Sequence, residues 1–237
     1  MKDVVIAGSR VRLAGGENRD GSGDGPIVVL LHGFGAPGED LVPLFRQLDV
    51  PRHVRFAFPE APLDLAELAG PSYAGARAWW MIDPSWFLPE NQGKLAERAK
   101  SVPDGLADAR ARVDAVLEGL GATREKTILG GFSQGAMVTM DVALRGETPF
   151  AGLALMSGSI VAADEWQPLL PKLAGVRVMQ SHGRTDPILP FATAERLRDL
   201  MKTAGADVRW VEFAGGHTIS MGALEALAKL VHDAFGE

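Results

Sequence analysis

Strand-length and helix-length patterns of apolar residues alternate along most of this chain. Residues 27–31 are apolar at every position over the length of a strand, which is typical of a strand buried on both faces of a sheet. Similar runs predict strands at 54–58, 127–130, 152–156, 176–181 and 208–213, and helices at 40–47, 106–120, 136–144, 191–204 and 221–235. This alternation predicts an α/β fold, with a mostly parallel central sheet and helices on both faces.

Three segments depart from this alternation. Residues 4–7 and 10–13 predict a short N-terminal hairpin, and the glycine-rich polar residues 15–25 predict a mobile loop. Residues 60–103 fit no simple strand or helix pattern. Because 237 residues are too few for two full-sized enzyme domains, we expect residues 1–237 to form a single domain.

One short motif at the end of a predicted strand indicates a nucleophile. Gly131-Phe132-Ser133-Gln134-Gly135 follows the apolar run at 127–130 and precedes a buried helical pattern. A serine in this context lies on a sharp strand-to-helix turn, which strains its backbone and presents Oγ at the top of the sheet. Larger residues at Gly131 and Gly135 would collide in such a turn. We therefore predict a nucleophilic Ser133, against the alternative of a glycine-rich turn that contains serine by chance.

A serine hydroxyl needs a base to remove its proton, and His217 has the position that fits this role. It follows the predicted strand at 208–213 and precedes the last helix, so we expect it on the same rim of the sheet as Ser133. His182, at the end of the strand at 176–181, is the alternative base. His32 lies in a glycine-rich turn, and we expect its ring nitrogens to anchor that turn.

The base in turn needs an acid that holds its tautomer, and Asp186 meets the positional requirements. It follows the strand at 176–181 and lies between the serine and the histidine in chain order, as this architecture requires. A turn aspartate before Pro187 is the structural alternative for the same residue. Asp164, which follows an earlier strand, is the second candidate acid.

Two backbone N–H groups are candidates for an oxyanion hole. The N–H of Gln134 follows the nucleophile and opens a helix, whose N-terminal dipole favours negative charge. The second donor should come from the loop after the first buried strand, His32-Gly33-Phe34-Gly35, and we assign it to Phe34. Such donors stabilise the negative charge that develops on a carbonyl oxygen under attack.

Charge and composition exclude several classes of function and site. The formal net charge of −6 argues against a nucleic-acid partner, which needs a basic surface. The chain has no cysteine, which excludes disulfides, thiolate metal sites and a cysteine nucleophile. Neither a secretory signal nor an apolar stretch of membrane-spanning length is evident. We therefore expect a cytoplasmic protein without stable membrane insertion, and either a monomer or a homodimer.

Together, four motifs resemble those of the phospholipase/carboxylesterase family of α/β-hydrolases, which includes bacterial carboxylesterases and acyl-protein thioesterases. They are His32-Gly33-Phe34-Gly35, the 131–135 motif, the turn at 182–190 and Gly216-His217, and the resemblance extends from residue 27 to the C-terminus. It implies an α/β-hydrolase fold, with Ser133, Asp186 and His217 as catalytic triad. It also implies an oxyanion hole formed by the N–H groups of Phe34 and Gln134, and no metal or organic cofactor.

The segment at 60–103 departs from the family pattern and carries three of the five tryptophans. Relatives commonly have a Trp-Phe-Asp-like motif where this chain has Trp79-Trp80-Met81-Ile82-Asp83. Aromatic side chains outside regular elements are typical of a pocket wall or lid. We predict Trp79 and Trp80, rather than Trp86, as substrate contacts, with a plug at the sheet edge as the alternative. Ile188 is a further candidate for contact with the acyl group, or else a core residue.

These observations predict a serine carboxylesterase that acts on small-molecule esters and favours short to medium acyl chains. Ser133 would attack the ester carbonyl while His217 takes its proton, and water would then hydrolyse the acyl-enzyme. A lysophospholipase or an acyl-protein thioesterase would use the same triad and differ only in substrate. A non-catalytic binding protein with a hydrolase fold is the alternative outside enzymes.

Overall fold

The computed structural model describes residues 1–83 and 99–236, and Trp86 lies outside these ranges. The strands are β1 Lys2–Ile6, β2 Ser9–Gly15, β3 Ile27–Leu31, β4 Arg55–Pro59, β5 Leu63–Asp64, β6 Arg77–Ala78, β7 Thr127–Phe132, β8 Gly152–Met156, β9 Arg177–Gly183 and β10 Asp207–Phe213. The α-helices are α1 Leu65–Ala69, α2 Leu106–Gly119, α3 Gln134–Arg145, α4 Ala163–Trp166, α5 Phe191–Thr203 and α6 Met221–Phe235. Within the described ranges, no helix has the length and apolar character of a membrane span.

Most strands of the described ranges belong to one sheet with the order β1-β2-β4-β3-β7-β8-β9-β10. From β4 to β10 in this order, neighbouring strands pair in parallel. The hairpin of β1 and β2 adds two antiparallel pairings at one end of the sheet, and β5 pairs with β6 apart from it. The mostly parallel sheet confirms the predicted fold class.

The sheet has a separate hydrophobic core on each face. In β3, Ile27, Val29 and Leu31 belong to one core, whereas Val28 and Leu30 belong to the other. Helices α2, α3, α4 and α5 contribute to the first core, and α6 contributes to the second. Because successive side chains of a strand point to opposite faces, a strand covered on both faces must be apolar throughout.

The predicted helix at 40–47 is the one element whose type differs from the structure. A 3-10 helix, Val42–Arg46, lies there instead. No side chain caps its start at Leu41, and the N–H of Gln47 already closes it by donating to the carbonyl oxygen of Leu44. The N–H of Leu44 likewise donates to the carbonyl oxygen of Leu41, and Pro43 has no N–H to donate, so the segment is a short 3-10 helix rather than an α-helix.

The carboxyl ends of the parallel strands meet at one edge of the sheet, which we call the upper rim. β3 leads into the His32-Gly33-Phe34-Gly35 loop, and β7 leads directly into Ser133. Asp186 follows β9, and His217 follows β10. Ligands of parallel α/β sheets bind at this edge, so the fold gathers the predicted site residues there.

Candidate active site

Ser133 lies on a strained turn between β7 and α3. Its backbone angles are φ 54° and ψ −117°, which residues other than glycine rarely adopt. A Cβ on Gly131 would lie 2.4 Å from the carbonyl carbon of Gly135, and a Cβ on Gly135 would lie 2.0 Å from the carbonyl oxygen of Leu31. The turn therefore has the conformation predicted for a nucleophile, and steric contact explains both flanking glycines.

Hydrogen bonds join Ser133, His217 and Asp186 in one chain. The distance from Ser133 Oγ to His217 Nε2 is 2.8 Å, and the distance from His217 Nδ1 to Asp186 Oδ2 is 2.7 Å. With the histidine proton on Nδ1, Nδ1–H donates to the carboxylate and Nε2 accepts from the serine hydroxyl. The ring of Phe132 packs against the imidazole, with 4.8 Å between centroids. The three residues that the sequence predicts as nucleophile, base and acid are thus brought together.

Asp186 is held as a carboxylate by the groups around it. Its side chain is fully buried, and burial alone would raise the pKa of the carboxyl group. Hydrogen bonds from His217 and from the backbone N–H groups of Ile188 and Leu189 outweigh this effect and lower the pKa below its ordinary value. Both backbone groups donate to Oδ1, at 2.8 and 2.9 Å. Oδ2 is left to accept from the imidazole.

The alternative base, His182, and the alternative acid, Asp164, occupy positions different from those of His217 and Asp186. His182 is buried behind Asp186, with Nε2 2.9 Å from the carbonyl oxygen of Leu189 and 3.3 Å from Asp186 Oδ2. Burial lowers the pKa of His182, so the ring is neutral near pH 7. The structure therefore directs His217, rather than His182, at Ser133. Asp164 is exposed on α4.

Backbone bonds connect the loops that carry Asp186 and His217. The N–H of Arg184 donates to the carbonyl oxygen of Phe213 at 2.9 Å, and the N–H of Thr185 donates to that of Gly215 at 3.1 Å. Ser157, after β8, donates its hydroxyl proton to the carbonyl oxygen of Thr218 at 3.0 Å. Sequence reasoning missed this contribution of Ser157, because a lone serine after a strand carries no recognisable signal.

The two predicted oxyanion donors belong to residues of the same cavity as Ser133. Phe34 and Gln134 both line it, and neither backbone N–H makes a hydrogen bond within the described part of the chain. The loop of Phe34 approaches the nucleophile closely, since a Cβ on Gly33 would lie 3.3 Å from Ser133 Cβ. Both donors are therefore available to an oxyanion beside Ser133.

His32 anchors the loop as the sequence predicts. Its Nδ1–H donates to the carbonyl oxygen of Gly33 at 2.8 Å, and its Nε2 accepts from the N–H of Ala61 at 3.0 Å. These two bonds require the neutral ring with its proton on Nδ1. Burial lowers the pKa of His32 to about 4, so this ring stays neutral over the physiological range.

The cavity beside Ser133 has a volume of about 360 Å³ and is mainly apolar. It is lined by Gly33, Phe34, Ala36, Asp40, Ile82, Phe132, Ser133, Gln134, Met137, Ile188, Leu189 and His217. Ile188 is thus where the sequence predicts it. Met137 could have been found from helical spacing, since it follows Ser133 by one turn of α3. Asp40 is exposed as a residue, yet desolvation raises the pKa of its carboxyl group to about 6.

Trp79 and Trp80 do not line this cavity, which corrects their prediction as substrate contacts. They are only 2% and 3% exposed and belong to the first core. Trp79 Nε1–H donates to the carbonyl oxygen of His32 at 2.9 Å, so its indole points into the protein. An aromatic cluster next to a rim has the same sequence pattern whether it faces substrate or the core, and here hydrogen bonding draws it inward.

A nucleophile, a base, an orienting acid and two available N–H donors form the set of groups that acyl transfer requires. The apolar cavity beside them can hold an uncharged acyl group. Among residues 1–83 and 99–236, no three His, Asp or Glu side chains are grouped as metal ligands would be. The nucleophile, base, acid and N–H donors can together cleave an ester or a thioester by acyl transfer.

Comparison with known proteins agrees with this chemistry. A family model described as phospholipase/carboxylesterase matches residues 20–233. An acyl-protein thioesterase 1 from Mycosarcoma maydis is 30% identical over 210 residues, covering 76% of this chain and 78% of that protein. The crystal structure of esterase PE8 superposes with a TM-score of 0.74 at 28% identity, over 94% of this chain and 99% of that one. A carboxylesterase from Bacillus cereus shares the fold, with a TM-score of 0.69 at 20% identity, 97% coverage of this chain and 96% of that one.

Proposed function

The chain belongs to the phospholipase/carboxylesterase family of α/β-hydrolases, and from that premise we propose that it is a serine carboxylesterase for esters with short to medium acyl chains. One observation carries the proposal. The hydrogen-bonded chain of Ser133, His217 and Asp186 ends at an apolar cavity with two available N–H donors. Family membership makes the chain a hydrolase, and this arrangement supports the roles that we assign to its residues.

In the first step, Ser133 Oγ attacks the carbonyl carbon of the ester while its proton moves to His217 Nε2. The N–H groups of Phe34 and Gln134 stabilise the oxyanion that forms. The bond to the alkoxy group then breaks, and the imidazolium returns its proton to the leaving alcohol. Water attacks the acyl-enzyme in the same way, with His217 as base, and the carboxylic acid is released.

Asp186 acts on this sequence through His217. A buried carboxylate 2.7 Å from Nδ1 keeps the histidine proton on that nitrogen and stabilises the imidazolium in both steps. Its second oxygen is fixed by the N–H groups of Ile188 and Leu189, so the carboxylate cannot turn away from the ring. The same short turn places the side chains of Ile188 and Leu189 in the cavity, where we propose that they contact the acyl group.

The size of the cavity supports the preference for short to medium chains. Its volume of about 360 Å³ is near the lower end of the range of roughly 300–1,000 Å³ that is usual for small-molecule sites. An acyl-protein thioesterase is the second candidate, because the relative from Mycosarcoma maydis bears that name. A thioester would react by the same two steps, with a thiol as leaving group. A cytoplasmic location and a monomeric or homodimeric state remain predictions from the sequence.

Hydrolysis of p-nitrophenyl esters from acetate to palmitate tests the proposal, with Ser133→Ala as the matched control. We expect activity to peak at short to medium chains and to be abolished in Ser133→Ala, which should fold as the wild type does. A peak at long chains, or a preference for an S-acyl peptide over its O-acyl analogue, would favour the second candidate. A folded wild type without activity on any of these substrates would refute the proposed function.

A further inference from the structure

Residues 77–80, which we call the brace, bond to the loop that carries Phe34. The N–H of Gly35 donates to the carbonyl oxygen of Arg77 at 2.9 Å, and the N–H of Arg77 donates to that of Ala36 at 3.1 Å. On the other side of Phe34, Trp79 Nε1–H donates to the carbonyl oxygen of His32 at 2.9 Å. The brace therefore holds this loop on both sides of the proposed oxyanion donor.

The brace also bonds to the residue that carries the other proposed donor. The N–H of Trp79 donates to Gln134 Oε1, and Gln134 Nε2–H donates to the carbonyl oxygen of Trp80, both at 2.9 Å. Gln134 is 1% exposed, so its amide group meets these protein partners in place of water. The brace thus fixes the side chain of Gln134, a residue that lines the cavity and whose backbone N–H makes no hydrogen bond within the described part of the chain.

We propose that Trp79 is a positioning residue, which sets the distance between the N–H groups of Phe34 and Gln134. The inference rests on the proposed function, because those groups matter only if an oxyanion forms beside Ser133. The loop of Phe34 has a glycine on either side of it, and Gly35 has a φ of +79°, so its sequence gives the loop little rigidity of its own. Trp79 supplies the rigidity that electrostatic stabilisation of a transition state requires, because its indole bonds to the loop of Phe34 and its backbone N–H bonds to Gln134.

Two simpler roles for Trp79, filling the core and contacting substrate, do not account for its contacts. A side chain that only filled the core would need no acceptor in the oxyanion loop, yet its indole N–H is bonded to His32. A side chain that contacted substrate would have to line the cavity, and Trp79 does not. The indole N–H bonds to His32, two residues before Phe34, and the backbone N–H bonds to the side chain of Gln134, which carries the other proposed donor.

Trp79→Phe tests the inference, because it keeps an aromatic ring and removes the indole N–H donor, and the control, Trp166→Phe, also replaces a buried indole with the smaller phenyl ring. We expect kcat on p-nitrophenyl butyrate to fall about 10- to 100-fold, since an oxyanion donor that is displaced rather than lost costs less than full removal. KM should stay within about twofold, because the bond acts on the transition state rather than on the bound ester.

Trp166→Phe is the matched control. Trp166 is 0% exposed in the same core, and its Nε1–H donates to Asp141 Oδ1 at 2.9 Å, away from the upper rim. Trp166→Phe also loses a buried indole hydrogen bond, in this case to a carboxylate, and we expect wild-type kcat. The inhibition constant of a butyl trifluoromethyl ketone, which forms an oxyanion on Ser133, should rise in Trp79→Phe by the factor by which kcat/KM falls.

Gln134→Met provides a second variant if Trp79→Phe does not fold. It removes both side-chain bonds to the brace, and we expect a loss of kcat of the same order. If both single variants fold, the loss in the double variant should be smaller than the product of the two single losses, because both substitutions loosen the same brace.

The outcomes separate this inference from the proposed function. An active wild type with unchanged kcat in Trp79→Phe, or with equal losses in Trp79→Phe and Trp166→Phe, would overturn the inference alone. A raised KM with a changed chain-length preference at unchanged kcat would mean that Trp79 contacts substrate, and would overturn it too. A wild type that hydrolyses no ester would refute the proposed function, and the inference with it.

Discussion

Asp186→Asn should reverse the tautomer of His217 while leaving the fold intact. In the structure Oδ1 accepts from the N–H groups of Ile188 and Leu189, and Oδ2 accepts from His217 Nδ1–H. An asparagine has one acceptor oxygen, and the two backbone N–H groups fix that oxygen on their side. Its NH₂ group then faces Nδ1, which must accept. The histidine proton moves to Nε2, where it prevents uptake of the proton of Ser133.

The expected loss follows from this change of tautomer. In a Ser-His-Asp triad the equivalent replacement lowers kcat by about 10⁴, which corresponds to roughly 5.4 kcal/mol of transition-state stabilisation. The hydrogen bonds to Ile188 and Leu189 remain, so thermal unfolding should stay close to that of the wild type. The Nε2–H of His182 keeps its own acceptor, the carbonyl oxygen of Leu189, so this ring needs no change of tautomer.

Steady-state hydrolysis of p-nitrophenyl butyrate measures this loss, with thermal unfolding of each variant recorded in parallel. Asp164→Asn is the control, because Asp164 is the exposed second candidate acid and should give wild-type kcat. A kcat for folded Asp186→Asn within about tenfold of the wild type would refute the tautomer argument. A large loss in Asp164→Asn would show that the wrong acid has been assigned.

Two further predictions follow from the cavity and the nucleophile turn. The carboxyl group of Asp40, with its pKa raised to about 6, becomes an anion as the pH rises through that value, so the preference for a choline ester over its neutral 3,3-dimethylbutyl isostere should increase from pH 5 to 7. The kcat/KM for the choline ester divided by the kcat/KM for its isostere measures this preference. In Asp40→Asn this ratio should not change with pH. A ratio that does not change with pH in the wild type would contradict the raised pKa of Asp40. Gly135→Ala places a Cβ 2.0 Å from the carbonyl oxygen of Leu31 and should destabilise the protein by about 3 kcal/mol or more in urea titration. The nearest atom to a Cβ on Gly222, in α6, is 3.6 Å away, so Gly222→Ala should be neutral or stabilising by up to about 1 kcal/mol, and equal midpoints for the two variants would contradict this reasoning.

The fold was predictable because hydrophobic patterning fixes which strands are buried. β3 is apolar throughout because it separates two cores, and that property is visible in five consecutive residues. Once parallel strands are recognised, their carboxyl ends must share a rim. The order Ser133, Asp186, His217 along three strand ends therefore sufficed to predict which residues meet.

The surroundings of these residues were less predictable. Trp79 and Trp80 have the composition of a pocket wall, and only the partners of their polar groups show that they face inward. Asp40 begins the helix predicted at 40–47, and its place in the cavity depends on how the 3-10 helix that forms there instead packs. Contacts between segments distant in sequence decide both cases, and no local pattern encodes them.

The parallel pairing at the middle of the sheet has a consequence for how the protein refolds. Ile27 of β3 lies opposite Thr127 of β7, so the chain must close a long loop before this pairing forms. Contacts between such distant segments slow folding, whereas helices form locally and early. Ser133 and the loop of Phe34 lie directly above these two strands. During refolding from denaturant, covalent capture of Ser133 by a fluorophosphonate therefore marks closure of the sheet, later than the recovery of helical circular dichroism.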